Sequence, residues 1–127
     1  MDRSALDDKL HELNIEDFIW LVYIGIIFAS WYSNSLERKY FVEGDEIAKE
    51  KYRKIMIGIF TILIIGYVYF LKSSYDDVQK LKPTDSEKKK TLVYLSFLGS
   101  FLIVISGVIF LYIALSDEEL NVELAFN

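Results

Sequence analysis

The sequence predicts an all-α membrane protein whose three long transmembrane helices form an up-down-up bundle and extend beyond the bilayer. Charged residues make up 26% of the 127 residues, yet residues 18–36, 55–71 and 91–116 contain none. As helices these blocks measure about 25 to 39 Å, which spans a hydrocarbon layer of about 30 Å with some extension or tilt. Gly44 and Pro83 stand between the blocks, and both residue types commonly end helices. We therefore expect a single domain, residues 1–127, built from three spans.

The first span is expected over about residues 15–36. A secretory signal peptide has a basic start, whereas residues 1–17 carry six acidic and two basic side chains. We therefore interpret the first apolar block as a retained membrane helix. The helix should continue to Val42 because Gly44 offers the natural stop.

An acidic N-terminal tail, residues 1–14, precedes this span and has the pattern of an amphipathic helix. Ser4 is the expected cap, and Leu6, Leu10 and Leu13 recur at helical spacing to form a narrow apolar face. Anionic lipid attracts Lys and Arg, so a protein surface suits this acidic tail better. A frayed, solvated tail is the alternative.

The second span is expected over about residues 54–72. Asp45 is placed to cap its helix, since a carboxylate accepts hydrogen bonds from the first free backbone N–H groups. Beyond Lys72 the apolar residues keep helical spacing, which predicts that the helix projects out of the bilayer. Pro83 should end it.

The third span is expected over about residues 91–116. The segment Thr84–Glu87 has the form of a capping box, with Thr84 as the cap. An acidic C-terminal tail, residues 117–127, follows the span. Ser116–Glu119 has the form of a second capping box, but the apolar residues after it fit a strand as well as a helix face. These apolar residues are Leu120, Val122, Leu124 and Phe126.

The positive-inside rule gives the orientation. The N-terminal tail and residues 72–90 share one side and hold eight Lys and Arg residues, whereas residues 34–54 and the C-terminal tail share the other and hold six. This margin favours a plasma-membrane protein with its N-terminus inside and its C-terminus outside. Richness in Ile, Lys and Tyr, together with the absence of Cys, suggests a bacterial source.

Small residues recur at helix-packing intervals on the first and third helices. They are Gly25, Ala29 and Ser33 on the first helix, and Ser96, Ser100, Gly107 and Ala114 on the third. In lipid, small residues let helix backbones approach closely. Each set therefore predicts either packing within the chain or a contact between subunits. For the third helix we expect a homo-oligomer with Gly107 at or near the subunit contact.

The polar residues of interest inside the spans are Ser and Thr, and no Asp, Glu, Lys, Arg or His lies in any charge-free block. Pumps, proton relays and voltage sensors normally need an ionisable group at depth, so these classes are disfavoured. A ring of subunits could instead line a pore with hydroxyl groups. The candidate pore-lining residues are Thr61, Ser96, Ser100 and Ser106.

Composition excludes several kinds of site. The chain has no Cys and a single His, His11, so thiolate catalysis and sites built on Cys or His clusters cannot be assembled in one subunit. A net charge of −5 disfavours nucleic-acid binding. We find no nucleophile–base pair, phosphate-binding glycine loop or dinucleotide fingerprint, and therefore expect neither enzyme activity, cofactor nor metal.

Two function classes remain. The first is a small integral membrane protein, a subunit, scaffold or regulator, that acts by helix packing and protein–protein interaction. Its expected partners are the lipid bilayer, further copies of itself and a protein bound through the acidic tails. The second is an oligomeric pore, either an ion channel or a holin-like protein. Three-span phage holins share the length and span count, an analogy of architecture that no motif here carries.

Overall fold

A computed structural model of the chain describes residues 2–124 and places three long helices in them. These are α1 (Arg3–Glu43), α2 (Glu46–Gln79) and α3 (Glu87–Ser116), and residues 2–124 contain no strand. Each helix includes a stretch long and apolar enough to cross a membrane. The helices measure about 45 to 60 Å, which exceeds the hydrocarbon thickness. The predicted all-α, three-helix membrane architecture is confirmed.

The first connection has the predicted geometry. Gly44 adopts a left-handed conformation with φ of 68°, and its N–H donates to the carbonyl of Tyr40 at 2.8 Å. Asp45 then caps α2, its carboxylate accepting from the N–H groups of Ile47 and Ala48 at 3.0 and 3.1 Å. The hydrogen bond from Ala48, followed by the contact with Lys39, lowers the pKa of Asp45.

Three predicted caps are wrong. α1 is capped by Asp2 rather than Ser4, and the Asp2 carboxylate accepts from the N–H of Ala5 at 2.7 Å. Ser86 rather than Thr84 caps α3, because Asp85 accepts from the N–H of Lys82 and closes a turn before the helix can start. Ser116 was the third predicted cap, but no helix follows it in residues 117–124.

The helices lie in a row with α2 in the middle. α1 and α2 run antiparallel, because Glu12 near the start of α1 meets Ser73 near the end of α2. α2 and α3 are antiparallel too, since Ser74 meets Ser100 while Arg53 reaches the carbonyl of Leu115. No Cα atom of α1 lies within 8 Å of one in α3. The up-down-up order is therefore an open row rather than a closed bundle.

The core lies along α2, where Met56, Phe60 and Leu63 are almost fully buried. The Phe60 ring stacks on Phe110 of α3 with centroids 5.6 Å apart. The outer faces, in contrast, leave many large apolar side chains exposed. Such faces are typical of helices in lipid, where apolar surface has no need to turn inward. Among the most exposed are Phe18, Trp20, Leu21, Trp31, Ile65 and Tyr112.

Residues 117–124 fold back over the Gly44 end of the row, and we name them the C-terminal strap. Asp117 accepts from the N–H groups of Asn121 and Val122 at 2.9 and 2.8 Å, which lowers its pKa. Leu124 is 7% exposed because it packs into the core. The strap is thus neither the helix nor the strand that its apolar pattern allowed. Phe126 lies outside the described residues.

Candidate functional site

The small residues of α1 only partly follow its contact with α2. Ser33 is fully buried, donates to the carbonyl of Ser30 at 2.7 Å and lies 3.7 Å from the Met56 sulfur. Ala29 is half-buried against the core. Gly25 is exposed, with open space where a Cβ atom would stand. The next residue, Ile26, is buried in the core instead. Successive helical residues point about 100° apart, so Gly25 lies beside the contact with α2.

Three of the four small residues of α3, Ser100, Gly107 and Ala114, line its contact with α2 inside one chain. A Cβ atom on Gly107 would stand 3.1 Å from Ile64 Cγ1 and 3.3 Å from Tyr67 Cδ2. Ala114 is buried, and the Ser100 hydroxyl lies 2.9 Å from that of Ser74. These residues were predicted either to pack within the chain or to form a contact between subunits. In one copy they pack within the chain. An outer face of α3 therefore remains for any subunit contact.

The four candidate pore-lining residues do not gather on one surface of the chain. Thr61 is exposed on α2, where its hydroxyl donates to the carbonyl of Ile57 at 2.8 Å. Ser106 is exposed on α3. Only Ser96 and Ser100 come together, in a groove where all three helices meet.

We name this feature the polar groove. It opens between α1 and α3 above α2, where no Cα atoms of α1 and α3 come within 8 Å of each other. Its volume is about 480 Å³. The Ser73 hydroxyl donates to Glu12 Oε1 at 2.9 Å across its wall. The lining residues are Lys9, Glu12, Glu16, Tyr23, Tyr67, Phe70, Ser73, Ser74, Asp77, Ser96, Ser100 and Ile103.

The polar groove is acidic at one end and aromatic at the other. Three carboxylates, from Glu12, Glu16 and Asp77, face one cation, Lys9. Within residues 2–124 these and other side chains form no group of three or more His, Cys, Asp or Glu residues that could hold a metal ion. The groove therefore offers a polar or cationic group hydrogen-bond acceptors and negative charge. Sequence reasoning missed it, because three separate helices supply its walls.

A second polar cluster holds the C-terminal strap at the opposite end. Lys49 pairs with Glu46 at 2.7 Å and with Glu119 of the strap at 3.7 Å, and it lies over the Tyr40 ring. Glu46 is the main cause of the raised pKa of Lys49. Arg53 donates to the carbonyl of Leu115 at 3.2 Å.

This cluster binds parts of the chain to one another. Lys49 and Arg53 belong to the basic segment that the sequence assigned to membrane orientation. The structure gives both side chains internal partners as well, and the acidic strap supplies one of them.

Comparison with protein-family models, curated proteins and solved structures finds no match to this chain, so its function has to be inferred from its own geometry.

Proposed function

We propose that the protein is a non-enzymatic, homo-oligomeric membrane subunit or scaffold that works by helix packing. One observation carries the proposal: α1 and α3 each lie beside α2, and no Cα atoms of α1 and α3 come within 8 Å of each other. Two long flanks of the molecule are consequently available to further copies. These flanks carry large aromatic and aliphatic side chains, including Trp20, Trp31 and Tyr112.

The polar groups at the helix contacts support a packing role over a catalytic one. Ser33 and Ser74 are buried, and the hydroxyl of each donates to a carbonyl of its own helix. Ser74 also pairs with Ser100. The Ser74–Ser100 pair joins α2 to α3. Within residues 2–124 none of these three hydroxyls forms a hydrogen bond with an acidic or basic side chain that would make it a nucleophile.

Native mass spectrometry in lipid nanodiscs tests the proposed assembly. We expect a discrete homo-oligomer, because the long exposed flanks carry large aromatic side chains that gain van der Waals contacts when a second copy packs on them. The same preparation, reconstituted in liposomes, should leave ion and dye flux at the level of empty liposomes. A monomer in mild detergent and in nanodiscs would overturn the homo-oligomer, and a partner of different sequence would then be the better explanation.

An oligomeric pore is the second candidate, and the polar groove favours it. The groove brings Ser96, Ser100 and two carboxylates of α1 beside the apolar part of the molecule. A ring of copies could join such grooves into a polar path. Flux through liposomes that contain the oligomer, reduced by Glu12→Gln and Glu16→Gln, would establish this alternative in place of a scaffold.

We further propose that the protein resides in the plasma membrane with its N-terminus inside. Reporters at Gly44 and after Asn127 should both report the outside, and a reporter at Pro83 should report the inside. The reason is the excess of Lys and Arg in the N-terminal tail and residues 72–90. Agreement between positions 44 and 83 would contradict three spans, whereas reversal of all three signals would contradict only the orientation.

A further inference from the structure

The apolar part of α3 runs past the apolar parts of its neighbours. Ser74 meets Ser100, so residue 100 of α3 stands level with residue 74 of α2. α2 becomes charged from Lys72 onward, whereas residues 91–100 of α3 carry no charge. These ten residues of α3 extend about 15 Å beside the charged end of α2. We name them the apolar overhang.

The apolar overhang is exposed. Leu92, Tyr94, Leu95 and Leu98 keep between 49% and 55% of their surface accessible. Charged side chains avoid hydrocarbon, so the charges from Lys72 onward mark the edge of the lipid at this level. Exposed apolar surface beyond that edge indicates a contact with protein rather than with acyl chains.

α1 carries a matching apolar surface at the same level. The bond between Glu12 and Ser73 places the first four turns of α1 beside the charged end of α2. There Leu6, Leu10 and Leu13 are 40% to 49% exposed and form what we name the leucine stripe. The stripe points away from α2, because Glu12 lies on the side that faces Ser73 and the leucines lie on the other.

We propose that the leucine stripe of one copy packs on the apolar overhang of the next copy, so that the chains assemble head to tail. The inference rests on the proposed homo-oligomer and names its interface. Within one chain the two surfaces stay exposed, and no Cα atoms of α1 and α3 come within 8 Å of each other. α1 and α3 run in the same direction, and both surfaces lie beside the charged end of α2. A second copy in the same orientation can therefore place its leucine stripe against the apolar overhang of the first copy.

Charge supports a second copy as the occupant. The capping Asp2 and residues 3–17 of α1 together hold six acids and two bases, whereas α3 opens with Lys88, Lys89 and Lys90 after a single acid. Lys89 and Lys90 pair with acids of their own chain, but within residues 2–124 neither Lys88 nor Asp7 forms an ion pair. Each surface thus carries the charge that the other lacks. Repetition of such a heterologous contact gives a ring or an open chain.

Engineered cysteines test this interface, and the Cys-free chain provides a clean background. Leu10→Cys and Leu95→Cys are introduced into separate copies that carry different tags, and the copies are co-expressed in membranes and mildly oxidised. We expect a mixed covalent dimer that carries both tags. The double variant L10C/L95C should give a ladder of dimers, trimers and larger species. A bond within one chain is ruled out, because a disulfide requires Cα atoms within about 7 Å.

Tyr112→Cys is the matched control for Leu95→Cys. Tyr112 is also exposed on α3, but it lies about 25 Å farther along the helix. L10C with Y112C should therefore give no mixed dimer. Dimers of L10C with itself would show a two-fold contact and overturn the head-to-tail arrangement.

The outcomes separate this inference from the proposed function. A homo-oligomer in native mass spectrometry without the L10C–L95C bond would overturn the interface and leave the homo-oligomer standing. A monomer would overturn both. As a second measurement, Lys88→Asp should lower the yield of mixed dimer about two- to five-fold, and Asp7→Lys in the other copy should restore it. Equal yields in all combinations would contradict the charge contact.

Discussion

Gly107→Val is expected to destabilise the folded chain by about 1–3 kcal/mol, because it overpacks the contact between α2 and α3. A Cβ atom added there would stand 3.1 Å from Ile64 and 3.3 Å from the Tyr67 ring, and valine adds two methyl groups beyond it. The helices must separate or the two side chains must move. Thermal unfolding in mild detergent, followed by tryptophan fluorescence, measures the loss.

Gly99→Val is the matched control on the same helix. No atom lies within 4 Å of the position where its Cβ would stand. Both variants share the change in helix propensity from Gly to Val, so the difference between them isolates the contact with α2. Equal unfolding temperatures for the two variants would show that Gly107 has no packing role.

Phe60→Ala should be at least as damaging, with an expected cost of about 3 kcal/mol. Phe60 is 1% exposed and stacks on Phe110, so its removal leaves a cavity at the centre of the row. This value lies at the lower end of the loss in stability that Phe→Ala substitutions usually cause. In a membrane, an apolar side chain gains little by moving from lipid into protein, so the loss is mainly one of dispersion contacts. Titration of mixed micelles with a denaturing detergent gives the free energy of unfolding.

Phe28→Ala provides the comparison for Phe60→Ala. It deletes the same atoms from an outer face of α1, where the ring is 61% exposed. In micelles of the monomer, detergent fills the space, so we expect a change within about 0.5 kcal/mol. A loss as large as that of Phe60→Ala would mean that this face of α1 is covered by another chain.

The helices and the first turn could be predicted because their signals are local. The charge-free blocks define the three spans, and Gly44 followed by Asp45 specifies both the stop of one helix and the cap of the next. At Thr84 a local rule chose the wrong cap. The Asp85 carboxylate accepts a hydrogen bond from the backbone N–H of Lys82. Lys82 lies outside the four residues of the capping pattern.

The order of the helices in space could not be predicted, because faces in contact with lipid are as apolar as faces in contact with protein. Small residues were the available guide, and the structure buries three of them, Ser33, Gly107 and Ala114. The same rule selected Gly25, which lies beside the contact and not in it. The polar groove was out of reach, since no single segment contains its acidic and hydroxyl side chains.

The central position of α2 also bears on how the protein is made. Each helix packs on the helix that precedes or follows it in the chain, so a ribosome that feeds the membrane insertion machinery delivers every partner in order. α1 can pack as soon as α2 has been inserted, and α2 gains its second contact as soon as α3 has been inserted. The exception is the C-terminal strap, which joins α3 to Lys49 near the start of α2. Because that segment follows all three helices in the chain, it can dock only on helices that have already been synthesised.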